Sequence, residues 1–224
     1  IKMKILTVIP ARGGSKRIPK KNIKNFCGKP LIAWTIEHAI KAKFLNKIIV
    51  STDDSQIAEI SKYYGADIPF MRPKKLSCDQ TPSIDVILDI LHFMEGYDWL
   101  LLLQPTSPLR NNFDIDNMIK FCCEKNSMSC VSVSLTTNKI SNIYTIDSKN
   151  LISKLDIKVN EIDNSSLYQL NGAIYFSNIK WLKKNKSFIT NETLAYLMPQ
   201  ERSIDIDTNF DWKLATCLMG HLVQ

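Results

Sequence analysis

The sequence predicts an α/β protein, a three-layer α/β/α domain built on a doubly wound, mostly parallel sheet, and three observations carry that expectation. Continuous apolar runs at Lys4 to Ile9, Lys47 to Ser51 and Trp99 to Leu103 have the length and composition of strands buried on both faces. Stretches with helical periodicity lie between them. The resulting βαβ alternation places ligands at the carboxyl ends of the strands, so the loops that follow the strands are where function is sought.

Each element has a local cause. Pro30 opens the first helix, in which Leu31, Trp34, Ile36, Ala39 and Ile40 recur near helical spacing. Asp53 or Asp54 caps the second, which ends at Gly65, and the third runs from about Ser83 to Met94 with Ile84, Ile87, Leu88 and Leu91 on one face. The second half is less regular. Ser129 to Leu135 reads as a strand, while Thr136 to Leu167 is polar and lacks apolar periodicity, which marks it as an extension of the sheet domain. A strand from Gly172 to Phe176, a short strand around Leu194 to Met198 and a closing helix from about Asn209 to Leu222 complete a single domain over residues 1–224.

Composition narrows the class. With 45% hydrophobic and 23% charged residues in 224, the chain is an ordinary globule rather than a disordered one. A net charge of +7 favours anionic partners, among them nucleic acid, membrane surfaces, nucleotides and acidic metabolites. There is no run of about 18 apolar residues and no signal-peptide core at the N-terminus, so the expected location is cytoplasmic, without membrane association. The six cysteines show neither C-x-x-C nor zinc-ligand spacing, so neither a disulfide nor a zinc site is expected.

After the first strand, the segment from Pro10 to Asn22 carries Gly13 and Gly14 together with Arg12, Lys16, Arg17, Lys20 and Lys21. Glycines let backbone N–H groups approach phosphate oxygens, Arg12 can fork two oxygens, and Lys21 can set a point charge on a leaving diphosphate. The patterns G-x-x-x-x-G-K-[ST] and G-x-G-x-x-G are both absent, which argues against a P-loop ATPase and a dinucleotide binder. No aromatic residue is interleaved with these cations, which argues against a nucleic-acid binder.

The run from Ile9 to Lys16, followed by Lys21-Asn22 and Gly28-Lys29-Pro30-Leu31, resembles the acylneuraminate cytidylyltransferases. The resemblance continues through Val50 to Asp54, Arg72-Pro73, Leu103 to Arg110, Asn171 to Tyr175 and Ser203 to Asp207, in order and across nearly the whole chain. It implies a nucleotide-diphospho-sugar-transferase-like fold and the transfer of CMP from CTP to a nonulosonic acid of the sialic or legionaminic type, with release of pyrophosphate. Enzymes for pseudaminic acid or 3-deoxy-manno-octulosonic acid, and a non-catalytic nucleotide-binding module, are the alternatives. It further implies that Ala11, Arg12, Gly13, Gly14, Ser15, Lys16, Lys21, Asn22, Arg72 and Ser83 bind the nucleotide. Gln104 would contact the sugar, and a homodimer would form through an extension at residues 136–168. Relatives carry an Arg-Gln pair about ten residues before the Asn-Gly, where Glu161 and its neighbours stand here, with Lys158 the nearest cation.

The remaining candidates follow from spacing. Asp205 and Asp207 alternate with Ile204 and Ile206, so in an extended chain both carboxylates share one face and can hold Mg²⁺ beside a triphosphate. The same stretch can instead cap the last helix, with Asp211 completing a capping box after Thr208. Asn171 and Tyr175, four apart on a strand, are expected on one side and so at the sugar pocket. Arg12, Lys21, Asp205 and Asp207 are the expected catalytic set.

Overall fold

The computed structural model describes residues 3–136, 144–146, 152–154 and 167–222. In chain order its elements are β1 (Ile5–Pro10), β2 (Asn25–Phe26), β3 (Lys29–Pro30), α1 (Leu31–Lys41), β4 (Lys47–Ser51), α2 (Ser55–Tyr63), α3 (Ser83–Phe93) and β5 (Trp99–Leu103). There follow α4 (Asn112–Glu124), β6 (Ser129–Leu135), β7 (Tyr144–Ile146), β8 (Ile152–Lys154), β9 (Tyr168–Asn178), α5 (Ile179–Asn185), β10 (Leu194–Leu197) and α6 (Asn209–Leu222).

The central sheet has the order β10-β6-β9-β5-β1-β4. β1 pairs in parallel with β4 and β5, and β10 in parallel with β6, whereas β9 runs antiparallel to both β5 and β6. The expected doubly wound, mostly parallel sheet is therefore present with one reversed strand. An apolar run buried on both faces looks the same in either direction, so sequence does not give that reversal. The reversal has a positional effect. Because Leu103 lies opposite Ile174, the early residues of β9 come to the same sheet edge as the carboxyl ends of β1 and β5.

Period-two alternation sorts the strands between two cores. Ile5, Ile9, Leu101 and Leu103 face α1, α2 and α4, while Leu6, Val8, Leu100 and Leu102 face α3 and α5. A third cluster joins Ile18, Phe26, Leu31, Leu109, Ile206, Ala215 and Met219. It packs the basic loop, the β2-β3 hairpin, α6 and the residue between the two aspartates into one body, so burial fixes the loop relative to the aspartates.

Helix α4 was not expected from periodicity, because Asp114 and Asp116 are buried on what should be its apolar stripe. Its start is a capping box: the Asn111 side chain accepts from the Asp114 N–H at 3.0 Å, and the Asp114 carboxylate accepts from the Asn111 N–H at 3.0 Å. Asn111→Ala is expected to lower unfolding stability by about 1 kcal/mol in urea titrations.

The proposed extension at 136–168 lies mostly outside the described residues. Within it, β7 and β8 pair as an antiparallel ribbon. Lys158 and Glu161 also lie outside the described residues. The six cysteines are free thiols. No helix of the described residues is long and apolar enough to cross a membrane.

Candidate active site

Two adjoining clefts open over the carboxyl ends of β1 and β5. One, of about 360 Å³, is lined by the basic loop with Asp79 and Asp207. The other, of about 290 Å³, is lined by Pro10, Arg12, Ser15, Lys21 and Asn22 on one side and by Gln104 to Thr106, Gly172, Tyr175, Asp205 and Asp207 on the other. Arg12, Ser15, Lys21 and Asp207 border both.

The loop leaves β1 with one more sheet-like bond, from the Ala11 N–H to the Ser51 carbonyl at 2.9 Å, and Ala11 itself is buried. The Gly13 N–H, expected to face phosphate, donates instead to Asp53 Oδ1 at 3.0 Å. Glycine is required there by close packing, since a Cβ would stand 2.8 Å from Asp54 Oδ2 and 2.9 Å from Asp54 Cβ. Asp54 cannot yield cheaply because its side chain caps α2, accepting from the Ile57 N–H at 3.0 Å. The pair Asp53-Asp54 is thus divided between holding the loop and starting a helix. Gly14, by contrast, has nothing within 4 Å of such a Cβ. We therefore expect Gly13→Ala to cost about 1–3 kcal/mol in thermal or urea unfolding and to displace the loop, and Gly14→Ala to be nearly neutral in the same measurement.

Lys21 is the hinge between loop and aspartates. Its Nζ donates to the Ile206 carbonyl at 2.6 Å and lies 3.0 Å from Asp207 Oδ1, with the side chain 12% exposed. Arg17 reaches Asp207 Oδ2 at 3.3 Å. Arg12 and Lys16 both pair with Asp79. Asn22 is buried and donates to the Arg12 carbonyl at 3.0 Å, while its Oδ1 has no protein partner.

The Asp205–Asp207 stretch alternates as expected, with Ile206 buried between carboxylates that both border the second cleft. The Ile206 N–H donates to the Thr106 carbonyl at 2.8 Å, which pins the stretch to the turn after β5. Asp205 is accessible at the mouth of the cleft, yet its carboxyl is held above the ordinary range. Loss of hydration is the main cause and the Asp207 charge adds to it, against a hydrogen bond from Thr106 and the Lys21 cation. The cap reading holds alongside: Asp211 Oδ2 accepts from the Thr208 N–H at 2.7 Å, and Thr208 Oγ1 accepts from the Asp211 N–H at 3.2 Å.

Gln104 borders the cleft, and its carbonyl is held by Arg110 at 3.2 Å. Arg110 is fully buried and also bonds the Ala173 carbonyl at 3.1 Å and Thr35 Oγ1 at 2.8 Å, so it ties β5 to β9 directly beneath the site. Burial draws its pKa down to about 10.

Asn171, Arg72 and Ser83, all expected in the site, line neither cleft. Asn171 does not share a side with Tyr175, because Gly172 at φ +71° and a register shift against β6 interrupt the alternation. The Asn171 amide is buried and engaged by Ser132, Ser203, Met198 and the Ala173 N–H, so it braces the irregular segment leading to Asp205 rather than lining the cleft. Tyr175 does line the cleft and packs on Phe188 at 5.2 Å between ring centroids. Arg72 is likewise turned inward, with Nε 3.1 Å from Ser51 Oγ and a second bond to the Ser51 carbonyl, and burial draws its pKa down to about 10. Ser83, the first residue of α3, is exposed and outside both clefts. Asp53, Asp79 and the Thr106 carbonyl are site features that residue patterns did not single out. Asp53 and Thr106 stood in stretches already noted, Asp53 as a possible cap.

A family model described as Cytidylyltransferase matches residues 6–208. The chain is 40% identical to a CMP-N,N'-diacetyllegionaminic acid synthase of Legionella pneumophila, over 97% of each chain. It is 36% identical to an N-acylneuraminate cytidylyltransferase of Escherichia coli, covering 96% of this chain and 52% of the longer relative. It is also 33% identical to a pseudaminic acid cytidylyltransferase of Campylobacter jejuni, over 96% of each. Among solved structures it is similar to a CMP:2-keto-3-deoxy-manno-octonic acid synthetase in complex with CTP, with a TM-score of 0.74 at 17% identity over 98% of this chain and 99% of the other. It is similar in the same way to the 4-diphosphocytidyl-2C-methyl-D-erythritol synthase of Anaerococcus prevotii, with a TM-score of 0.69 at 14% identity over 98% and 100%. At those identities the likeness to solved structures is one of fold.

Proposed function

We propose a reaction from the premise that the chain belongs to the cytidylyltransferase family: it transfers CMP from CTP to the anomeric hydroxyl of a nonulosonic acid of the sialic or legionaminic type. The sugar oxygen bonds to the α-phosphorus, the bond from that phosphorus to the bridging oxygen of the β-phosphate breaks, pyrophosphate leaves, and the hydroxyl proton is given up. The observation that carries this reading is the second cleft. It gathers a cationic loop, two carboxylates and a neutral polar wall of Gln104, Thr106 and Tyr175 around one volume.

Each group has work of a definite kind. Arg12, Ser15, Lys16 and Lys21 hold the triphosphate, and Lys21 offsets charge that develops on pyrophosphate. Asn22, with its unpaired Oδ1 beside the cleft, accepts from the nucleoside. Gln104 and Tyr175 orient the sugar, since transfer to phosphorus depends above all on position and charge neutralisation. Asn171, Arg72 and Arg110 act at one remove, by fixing the backbone from which these side chains project.

The residues present suit a divalent cation. The Asp207 charge is among the causes that keep Asp205 hard to ionise, and a cation between the two relieves that repulsion. Among the described residues no group of three or more His, Cys, Asp or Glu side chains could hold a metal, so Asp205 and Asp207 would share it with phosphate oxygens and water. That is the donor set Mg²⁺ takes in nucleotide sites. When bound, Mg²⁺ would stabilise negative charge on the phosphoryl oxygens. Homodimerisation through residues 136–168 and a cytoplasmic location complete the proposal.

The test is to incubate the protein with CTP, Mg²⁺ and a panel of sialic, legionaminic, pseudaminic and 3-deoxy-manno-octulosonic acids while measuring pyrophosphate. Release that requires both CTP and a sialic- or legionaminic-type acid is expected. No release with any of the panel overturns the enzymatic reading.

A further inference from the structure

The four paired cations of the basic loop are all neutralised by two carboxylates. Asp207 takes Lys21 and Arg17, and it belongs to the reaction already described. Asp79 takes the other two, one oxygen to each: Oδ1 to Arg12 and Oδ2 to Lys16, the latter at 2.5 Å. Nothing in the reaction uses Asp79. It borders the first cleft together with the cations and with Asp207, and its side chain is 36% exposed.

A carboxylate bridging two cations with separate oxygens does what two oxygens of a phosphate do. In a cleft that takes a polyanion, however, a fixed negative charge repels the ligand, and Arg12 and Lys16 cannot grip phosphate fully while Asp79 holds them. The way Asp79 is carried permits it to leave. It sits in the stretch between a short helical turn at Lys74–Leu76 and α3, where the Thr81 N–H bonds back to the Cys78 carbonyl at 3.2 Å, and it belongs to no strand or helix. Both of its ion pairs are open to solvent, and such pairs are weak enough to exchange.

We propose that Asp79 is an internal stand-in for the terminal phosphates of the nucleotide, displaced from Arg12 and Lys16 when the triphosphate enters and returning to them as pyrophosphate leaves. It thereby sets the affinity of the cleft for triphosphate and for pyrophosphate without touching the reacting atoms. The inference rests on the assignment of this cleft to the phosphates of CTP. Lys16 and Arg12 also hold the Asp79 carboxyl below its ordinary range, in keeping with a carboxylate that is ionised and ready to re-pair.

The experiment compares wild type, Asp79→Asn and Asp79→Glu in the full chain. Removing two exposed ion pairs that compete with ligand is expected to tighten binding about three- to tenfold. In Asp79→Asn the KM for CTP should fall and inhibition by pyrophosphate should tighten by that factor, with the KM for the sugar unchanged. Asp79→Glu, which keeps the charge, should behave like wild type. Calorimetric titration of inorganic pyrophosphate into each protein reads the same effect without turnover, so it judges the role of Asp79 even if no sugar in the panel reacts. An unchanged or weakened affinity for both CTP and pyrophosphate in Asp79→Asn, with the far-UV spectrum and melting curve intact, overturns the proposal and makes Asp79 a support for the cations instead.

Discussion

Asp205→Asn is expected to slow turnover by about 100-fold or more while leaving a protein at least as stable as wild type. The two effects have one cause. Asp205 is accessible but crowded by surrounding protein, which strips part of its hydration, and the Asp207 charge is near, so its carboxyl lies above the ordinary value of 3.8. A carboxyl that holds its proton more tightly folded than unfolded subtracts stability as pH rises through the ordinary value toward the raised one, and the deficit persists at every higher pH. Asparagine has nothing to ionise and escapes it. Melting curves recorded in chelator should therefore favour the variant at pH 7 and converge with wild type below pH 3.8. Activity should move the opposite way, because the amide cannot share a divalent cation with Asp207. An Asp205→Asn protein that kept wild-type kcat/KM and Mg²⁺ dependence would remove both aspartates from the metal assignment.

Lys21→Met is expected to reduce kcat/KM by about 100- to 1,000-fold, the scale seen when a donor aimed at developing charge is removed. It should also lower stability by about 1–3 kcal/mol, because the Ile206 carbonyl loses its donor and Asp207 an ion-pair partner. Steady-state kinetics separates the consequences: kcat and the KM for CTP should both suffer, whereas the KM for the sugar should not. Lys21→Arg is expected to rescue little. A planar guanidinium does not fit a position where one compact ammonium meets a carbonyl at 2.6 Å and a carboxylate at 3.0 Å. A loss confined to the KM for the sugar would place Lys21 on the wrong side of the cleft.

How far these features could be read in the residues depends on whether their cause is local. β4 and β5 fall where continuous apolar runs put them, β6 where Ser129 to Leu135 reads as a strand, and α6 begins where Thr208 and Asp211 form their box. Helix α4 escaped because its buried Asp114 and Asp116 mask the stripe: Asp114 is held by Arg202, and Asp116 accepts from the Lys43 N–H. Those partners are far away in sequence. The reversal of β9 and the kink at Gly172 are tertiary facts, and so the expectation that Asn171 and Tyr175 share a side failed on a single residue of positive φ. In the site, Arg12, Lys21, Gln104, Asp205 and Asp207 were legible because their charge or position after a strand is itself the signal. Asp79 was not, since an isolated acidic residue in a loop becomes meaningful only when folding sets it against Arg12 and Lys16.

The contact between Lys21 and Asp207 joins residues 186 positions apart. Ribosomes add about 5–20 residues per second, so the basic loop emerges roughly ten seconds or more before the carboxylate it meets. During that interval the nascent chain displays a cluster of cations with no acidic counterpart from its own far end. Translation therefore delivers the grip first and the chemistry last, and a product released short of Asp205 carries the cations without the carboxylates that make them catalytic.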